Sequence, residues 1–330
     1  VNPTINTEAL ADQLSMAGLE VDSVEPAASA FTGVVVGEVL RCEPHPDADK
    51  LSVCQVNVAT DEPLQIVCGA KNIAAAMKVP IATVGARLSV DFTIKKTKLR
   101  GVPSLGMICS AAELGLVESS EGILALPSDA PVGTDLREYL ALDDACIDVD
   151  LRADRGECVS GAGIAREGAV VNGMPLTAPE IAVVSHDNNV SCALEVQDTA
   201  ACPRYLCRVI QGINPQANTP YWMVERLRRS GIRTLSPVVD VTNYVMLELG
   251  QPMHGFDLAK IQGGIVVRRA KANERLALLN GSTIELDTDT LLIADHKGPL
   301  AMAGIMGGEA SGVSSDTHDV LLEAAFFAPL

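Results

Sequence analysis

A chain of 330 residues that is 48% hydrophobic is too long for one typical domain and has apolar side chains enough for two or three cores. No apolar run reaches the roughly 18 residues of a membrane span, and the opening VNPTINTEAL lacks the basic and apolar regions of a signal peptide, so a soluble cytoplasmic protein is expected. The formal charge of -17 excludes a generally cationic surface and leaves any nucleic-acid contact to local patches.

In chain order, a first helix is predicted with Thr7 as N-cap, Leu10, Leu14 and Ala17 on one face and Gly18 just past the end. LEVDSVEP reads as a strand and ASAFTG as a linker. From Val34 the texture changes to short strands at close spacing: VVVGEVL, KLSVCQVNV, LQIVCGA, VPIATVG and DFTIKKTKL. Turn residues divide them, the pattern of a small closed barrel such as an OB-fold. AAELG, after GMICS, is predicted as a short helix, and the unit closes near Leu142.

Residues 145 to 190 read as strand, helix, strand, with GECVSGAGIAREGAVVNG as the helix and Asn172-Gly173 ending it. A third unit starts near Cys192. Its clearest helix is ANTPYWMVERLRRSG, with Thr219 as cap, Pro220 in the first position and Gly231 at the end. GGIVVRRA, RLALLN, STIEL and TLLIAD read as strands, and Asn280-Gly281 marks a hairpin. The unit is mixed α and β.

The nine cysteines include no CxxC pair and no metal spacing, so reduced thiols and no metal are expected. There is no GxxxxGK[ST] phosphate loop, no GxSxG elbow and no HExxH. Two cationic clusters stand out. Lys95, Lys96, Lys98 and Arg100 lie within six residues, and Arg226, Arg228, Arg229 and Arg233 within eight. Each is either a solvated face or a phosphate-binding patch. The barrel has few aromatics, Phe31, Phe92 and Tyr139, so a nucleic acid in its groove would be expected to meet it through phosphates and shape rather than base stacking. Lys50 joins the first cluster as a candidate contact. His45, in HPDADKL, reads as structural, because Pro44, Pro46 and two aspartates make a turn there.

The segment RTLSPVVDVTNYVMLELGQPMHGFD, from Arg233 to Asp257, resembles the signature segment of bacterial phenylalanyl-tRNA synthetase beta subunits. HPDADKLSVCQVNV and LRGVPSLGMICSAAELG resemble that family's tRNA-binding domain, and AMAGIMGGEASGV and VLLEAAFF resemble its editing domain. These segments cover most of the chain in the family's order. The resemblance implies a multidomain α+β architecture. Residues 1–32 and 145–190 would form a discontinuous mixed α/β domain, 33–144 an inserted OB-fold tRNA-binding domain, and 191–330 an editing domain. ADRGECVSG departs from the family's Asn-Arg-Ala/Pro-Asp run, and its extra glycines weaken a helix by ~1 kcal/mol each.

With no class II ATP-binding motif, the resemblance assigns aminoacylation to a separate alpha subunit, in an α2β2 complex that uses ATP and Mg2+. No cofactor is expected here. The implied partners are tRNA(Phe) and that alpha subunit, with no DNA and no membrane. The chain reads as an N-terminal fragment whose editing pocket is completed by residues beyond position 330.

Editing answers a chemical problem, because a hydrophobic pocket rejects an added hydroxyl by only about 100-fold. Tyrosine is phenylalanine plus a hydroxyl, so a second site that demands the hydroxyl is needed. On the resemblance, Glu323 accepts the tyrosine hydroxyl, His254 orients water or the terminal ribose, and Arg233 holds a phosphate or the ester. The alternative for Arg233 is an ion pair with Asp240 or Asp257. Asn243 is expected to fix the backbone of a following helix. Gly304, Gly307 and Gly308 are expected to form a pocket wall, Gly307 above all. The rival reading is a non-catalytic tRNA-binding or scaffold module.

Overall fold

The structure, a computed structural model, describes residues 1–185 and 189–329. Internal contacts divide the chain into two units, Asp22–Asp148 in one and Val1–Val21 with Val149 onward in the other.

Helix α1 (Thr7–Met16) is capped by Asn6 rather than Thr7: the Asn6 side chain accepts from Ala9 N at 2.8 Å. An Asn at this position answers one of the orphan donors of the first turn. Gly18 follows the helix in the left-handed region, at φ 83°. Strand β1 (Glu20–Pro26) leads into the second unit.

That unit is built on β2 (Thr32–His45), β3 (Ala48–Asn57), β4 (Leu64–Cys68) and β5 (Lys78–Arg87), followed by the short β6 (Thr97–Leu99), β7 (Val102–Ser104) and β8 (Gly106–Ile108). An antiparallel sheet of order β4-β3-β2-β5-β8 forms around Val39, Cys54, Val56, Ile66, Val79 and Ile81. Register shifts bend the long β2, which pairs with β3 toward one end and with β5 toward the other. Gly37 is required where β2 crosses the core, because a Cβ there would overlap Ile81 and Val56. The sheet nearly closes on itself. Leu105 N donates to Gln65 O at 2.8 Å, and Val67 N to Ser104 Oγ at 3.1 Å, stitching the β8 edge to β4.

Two expectations need correcting here. DFTIKKTKL does not supply the fifth strand of the sheet. Only Thr97–Leu99 is strand, and it pairs with β7 as a hairpin through Arg100 and Gly101, both at positive φ. Apart from Ile94, the side chains of 91–100 are exposed, so the segment has no apolar face to bury. AAELG forms turns instead of a helix: Gly115, at φ 66°, stops it after one turn. The helix of this unit is α2 (Leu136–Tyr139), capped by Asp135, which accepts from Arg137 N at 2.8 Å.

Strand β9 (Ala145–Asp150) pairs with β1, and α3 (Gly161–Val171) follows. The glycines of ADRGECVSGAG do not prevent this helix. Ser160 caps it, accepting from Gly163 N at 3.1 Å, and a Cβ on Gly163 would collide with Glu157 O. The close approach explains the residue. No strand forms over 174–185, contrary to expectation, and residues 186–188 lie outside the described residues.

The remainder contains β10 (Leu194–Val196), β11 (Arg204–Ile210), α4 (Tyr221–Arg229), α5 (Pro237–Leu249), β12 (His254–Asp257), β13 (Ile265–Arg269), β14 (Arg275–Ala277), β15 (Thr283–Glu285), β16 (Leu291–Ala294), β17 (Pro299–Met302), β18 (Met306–Gly307) and β19 (Val320–Phe326). Thr219 does not cap α4. Its hydroxyl donates to Asp240 Oδ2 at 2.5 Å, tying the start of α4 to α5, and Pro220 takes the cap position.

One sheet runs β10-β13-β16-β17-β18 and a second, antiparallel, runs β11-β19-β12. They pack face to face through Tyr205, Phe256 and Leu321 from the smaller sheet and Ile265, Val267 and Ile293 from the larger. The other face of the smaller sheet meets α5, where Gly255 leaves only enough room for Val238. β14 and β15 form the hairpin expected around Asn280-Gly281.

Candidate functional site

Strand β19 is the middle of the smaller sheet, so a side chain on it has neighbours on both sides. Glu323 lies directly opposite His254 on β12 and opposite Cys207 on β11. All three point to the face that packs on the larger sheet, since side chains alternate along a strand. Glu323 is 6% exposed. Loss of hydration raises its carboxyl to about 7. The same burial pushes the His254 imidazole below its ordinary value. An acid that holds its proton near neutrality and a neutral imidazole, side by side, exchange protons with a bound hydroxyl or water at small cost.

Gly307 completes one wall. A Cβ at this position would stand 2.7 Å from His254 Cε1 and 3.0 Å from Nε2, so only glycine lets β18 run flush against the imidazole. The other side of the ring meets Phe256 edge to face, at 4.5 Å between centroids. Gly304 and Gly308 have other tasks. Gly304 turns the chain between β17 and β18 at φ 69°. Gly308 N donates to Leu300 O at 2.8 Å and is committed to the sheet.

The structure therefore brings His254, Glu323 and Gly307 together. No hydrogen bond or ion pair joins Arg233 to them: it is exposed, in the loop between α4 and α5. It pairs with neither Asp240, which accepts from Thr219 and Leu235 N, nor Asp257, which accepts from Thr317 and Ala259 N. Asn243 sits inside α5 and not ahead of a helix. Tyr205 and Cys207 escaped the sequence reading. The signal was the alternation in RYLCRVI, where Tyr205, Cys207 and Val209 turn inward.

Among the described residues one group has metal-like spacing, Glu157, Cys158 and Glu167. Arg155 occupies it, pairing with Glu157 at 2.7 Å and Glu167 at 3.2 Å, so the positive charge comes from the chain itself.

Comparison with known proteins divides the chain as its folding does. A "B3/4 domain" model matches residues 201–330, and a "Putative tRNA binding domain" model matches 34–135. The phenylalanine–tRNA ligase beta subunit of Pseudoalteromonas translucida is 59% identical over all 330 residues. Those of Vibrio parahaemolyticus and Dickeya dadantii are each 57% identical, and each match also takes in 100% of this chain. Along its whole length the chain matches phenylalanine–tRNA ligase beta subunits at high identity. It spans about two fifths of the length of these relatives, covering 42%, 41% and 42% of them.

The tRNA-binding match falls on the barrel. Lys50, Lys95, Lys96, Lys98 and Arg100 are all exposed, and none forms an ion pair among the described residues. His45 is buried and explains how they are grouped. Its Nδ1 accepts from Asp47 N at 3.0 Å, closing the β2–β3 turn, and its Nε2 meets Leu99 O at 3.1 Å. One imidazole thus fastens the turn before Lys50 to the hairpin that carries Lys98 and Arg100. Beside that hairpin a cavity of about 590 Å³ is lined by Val67, Phe92, Lys95, Thr97 and Met107.

Proposed function

We propose that this chain holds the hydrolytic editing site of a phenylalanine–tRNA ligase and engages tRNA(Phe) through its barrel, which is of OB type. Residues 191–330 carry the editing domain, and residues 1–32 with 145–190 form the domain that accepts the insertion. Aminoacylation, with its ATP and Mg2+, resides in the alpha subunit of a cytoplasmic α2β2 complex.

The observation that carries the reading is the pairing of Glu323 with His254 across β19 and β12, with Gly307 flush against the imidazole. In the reaction, water adds to the ester carbonyl of Tyr-tRNA(Phe). The bond from that carbon to the terminal ribose oxygen breaks, and tyrosine and free tRNA leave. Glu323 accepts the phenol hydroxyl, which phenylalanine lacks. His254 orients the water, takes up its proton and passes it to the departing ribose oxygen. No covalent nucleophile is required, because an aminoacyl ester is already labile. Arg233, on a free loop, meets the tRNA backbone rather than the reacting ester.

The test is hydrolysis of Tyr-tRNA(Phe) by the full beta subunit paired with alpha. Glu323→Ala and His254→Ala are each expected to lose it while phenylalanine charging continues. Unchanged hydrolysis in Glu323→Ala, with charging intact, would remove Glu323 from the site, and a wild-type complex that charges phenylalanine but hydrolyses no Tyr-tRNA(Phe) would leave the binding or scaffold reading in its place.

A further inference from the structure

Two buried polar atoms at this sheet have no hydrogen-bond partner among the described residues, the Tyr205 hydroxyl and His254 Nε2. The Glu323 carboxyl also lacks one, and only its lost hydration perturbs it. Buried polar groups are nearly always satisfied. Three unsatisfied groups on one face of one three-stranded sheet mark a place built for a polar ligand.

Their order across the sheet is informative. Glu323 lies in the middle. His254 is directly opposite on one side, its ring edge against Gly307. Tyr205 lies on the other side, opposite Ala325 and so diagonal to Glu323 on the same face. Diagonal neighbours stand about 7–8 Å apart at the backbone, within reach of an aromatic side chain. Tyr205 is 6% exposed, and burial with the nearby Glu323 charge keeps its hydroxyl protonated, as a donor.

A phenol hydroxyl offers one proton and also accepts. A site that buries it must meet both needs, and a carboxyl oxygen that accepts its proton meets only the first. We propose that Tyr205 is a specificity-determining residue of this site, its hydroxyl donating to the phenol oxygen of the substrate whose proton Glu323 accepts. The inference rests on the editing reading and assigns the second half of hydroxyl recognition. His254 is the weaker candidate for that donor, since its free nitrogen faces Gly307, away from β11. Cys207, directly opposite Glu323, offers only a weak thiol donor. A phenylalanine at 205 would fill the same space without stranding a hydroxyl, so packing alone gives no reason for tyrosine here. Without substrate the Tyr205 hydroxyl is buried with no partner, and a bound phenol satisfies it.

The experiment compares wild type and Tyr205→Phe in the beta subunit paired with alpha, measuring hydrolysis of tyrosyl-tRNA(Phe) and phenylalanyl-tRNA(Phe) together with thermal melting. The ratio of tyrosyl to phenylalanyl hydrolysis is expected to fall about tenfold, chiefly through KM. The melting temperature is expected to hold or rise, because an unpaired buried hydroxyl has been removed. An unchanged ratio in an active enzyme overturns the role of Tyr205 and leaves the editing reading standing. Equal loss on both esters with a lower melting temperature assigns Tyr205 to packing and also overturns it. Wild type that hydrolyses neither ester defeats the editing reading itself, and this inference with it.

Discussion

The barrel and the β11–β19–β12 sheet present charge in opposite ways. Around the barrel, Lys50, Lys95, Lys96, Lys98 and Arg100 stand in water at the start of β3, on a loop and on a short hairpin, with His45 fastening the β2–β3 turn to that hairpin. On the sheet, Glu323 is sealed between two layers and its protonation is decided by that burial. The first arrangement suits a polyanion, whose many weak contacts tolerate imprecise placement. The second suits one hydroxyl, whose discrimination depends on leaving a buried partner unsatisfied when the wrong ligand enters. A chain with a net charge of -17 can house both because each acts over short range.

The contrast is broken most severely at Gly307. Gly307→Ala places a methyl in the imidazole's space, and hydrolysis of Tyr-tRNA(Phe) by the ligase complex is expected to drop on the order of 100-fold. A similar change at the exposed Gly281, where no atom lies within 4 Å, gives no such loss despite its φ of 80°. Single-turnover deacylation measures both.

Next in size is the response of stability to pH. The folded state raises Glu323 from 4.5 to about 7. Between these values the folded chain binds the proton more tightly than the unfolded chain, so this group's contribution falls as pH rises and is fully lost above about 7. Glu323→Gln is therefore expected to be more stable than wild type by about 2 kcal/mol at pH 8, and the difference shrinks toward pH 4. His254 acts in the opposite sense: its lowered value removes stability as pH falls below 6.5. Urea denaturation of wild type and Glu323→Gln across that range separates the two. A difference that is flat with pH would mean Glu323 is solvated.

The smallest effect belongs to the barrel. Replacing Lys95, Lys96, Lys98 and Arg100 with alanine is expected to weaken tRNA(Phe) binding about tenfold at low salt. The slope of log K against log salt should become shallower by about 0.7–0.9 for each phosphate contact removed. Titration at several salt concentrations reads the slope directly, and an unchanged slope would move tRNA contact off this patch.

How far the sequence foretold these features depends on how local each one is. The alternation in VVVGEVL and KLSVCQVNV, and the glycine stop after α4, are short-range signals that the fold obeys. Asn6 displaced Thr7 as cap because both residues cap well and only the entry of the backbone chooses between them. Thr219 was diverted by Asp240, a partner 21 positions away that no local pattern reveals. DFTIKKTKL has the composition of a strand but no face to bury, and that depends on neighbours outside the segment. Glu323 and His254 stood out one at a time, as a carboxylate in an apolar run and a histidine in a signature segment. That they face one another follows from the register of β12 against β19, and Tyr205 joins them only through the opposite pairing with β11.

Helix α1 is the first element of the chain, yet its partners come late. Arg155 Nη1 donates to Ala17 O at 3.0 Å, spanning 138 positions, and Asn172 Nδ2 donates to Gln13 Oε1 at 3.0 Å, spanning 159. During synthesis this helix waits, without its packing surface, until the whole barrel and α3 have emerged. The pairing of β1 with β9 resolves the delay. A folded barrel brings its own two ends side by side, so α1 closes a short gap to α3 and not a loop of over a hundred loose residues. The docking of α1 on α3 thereby depends on the inserted barrel being folded.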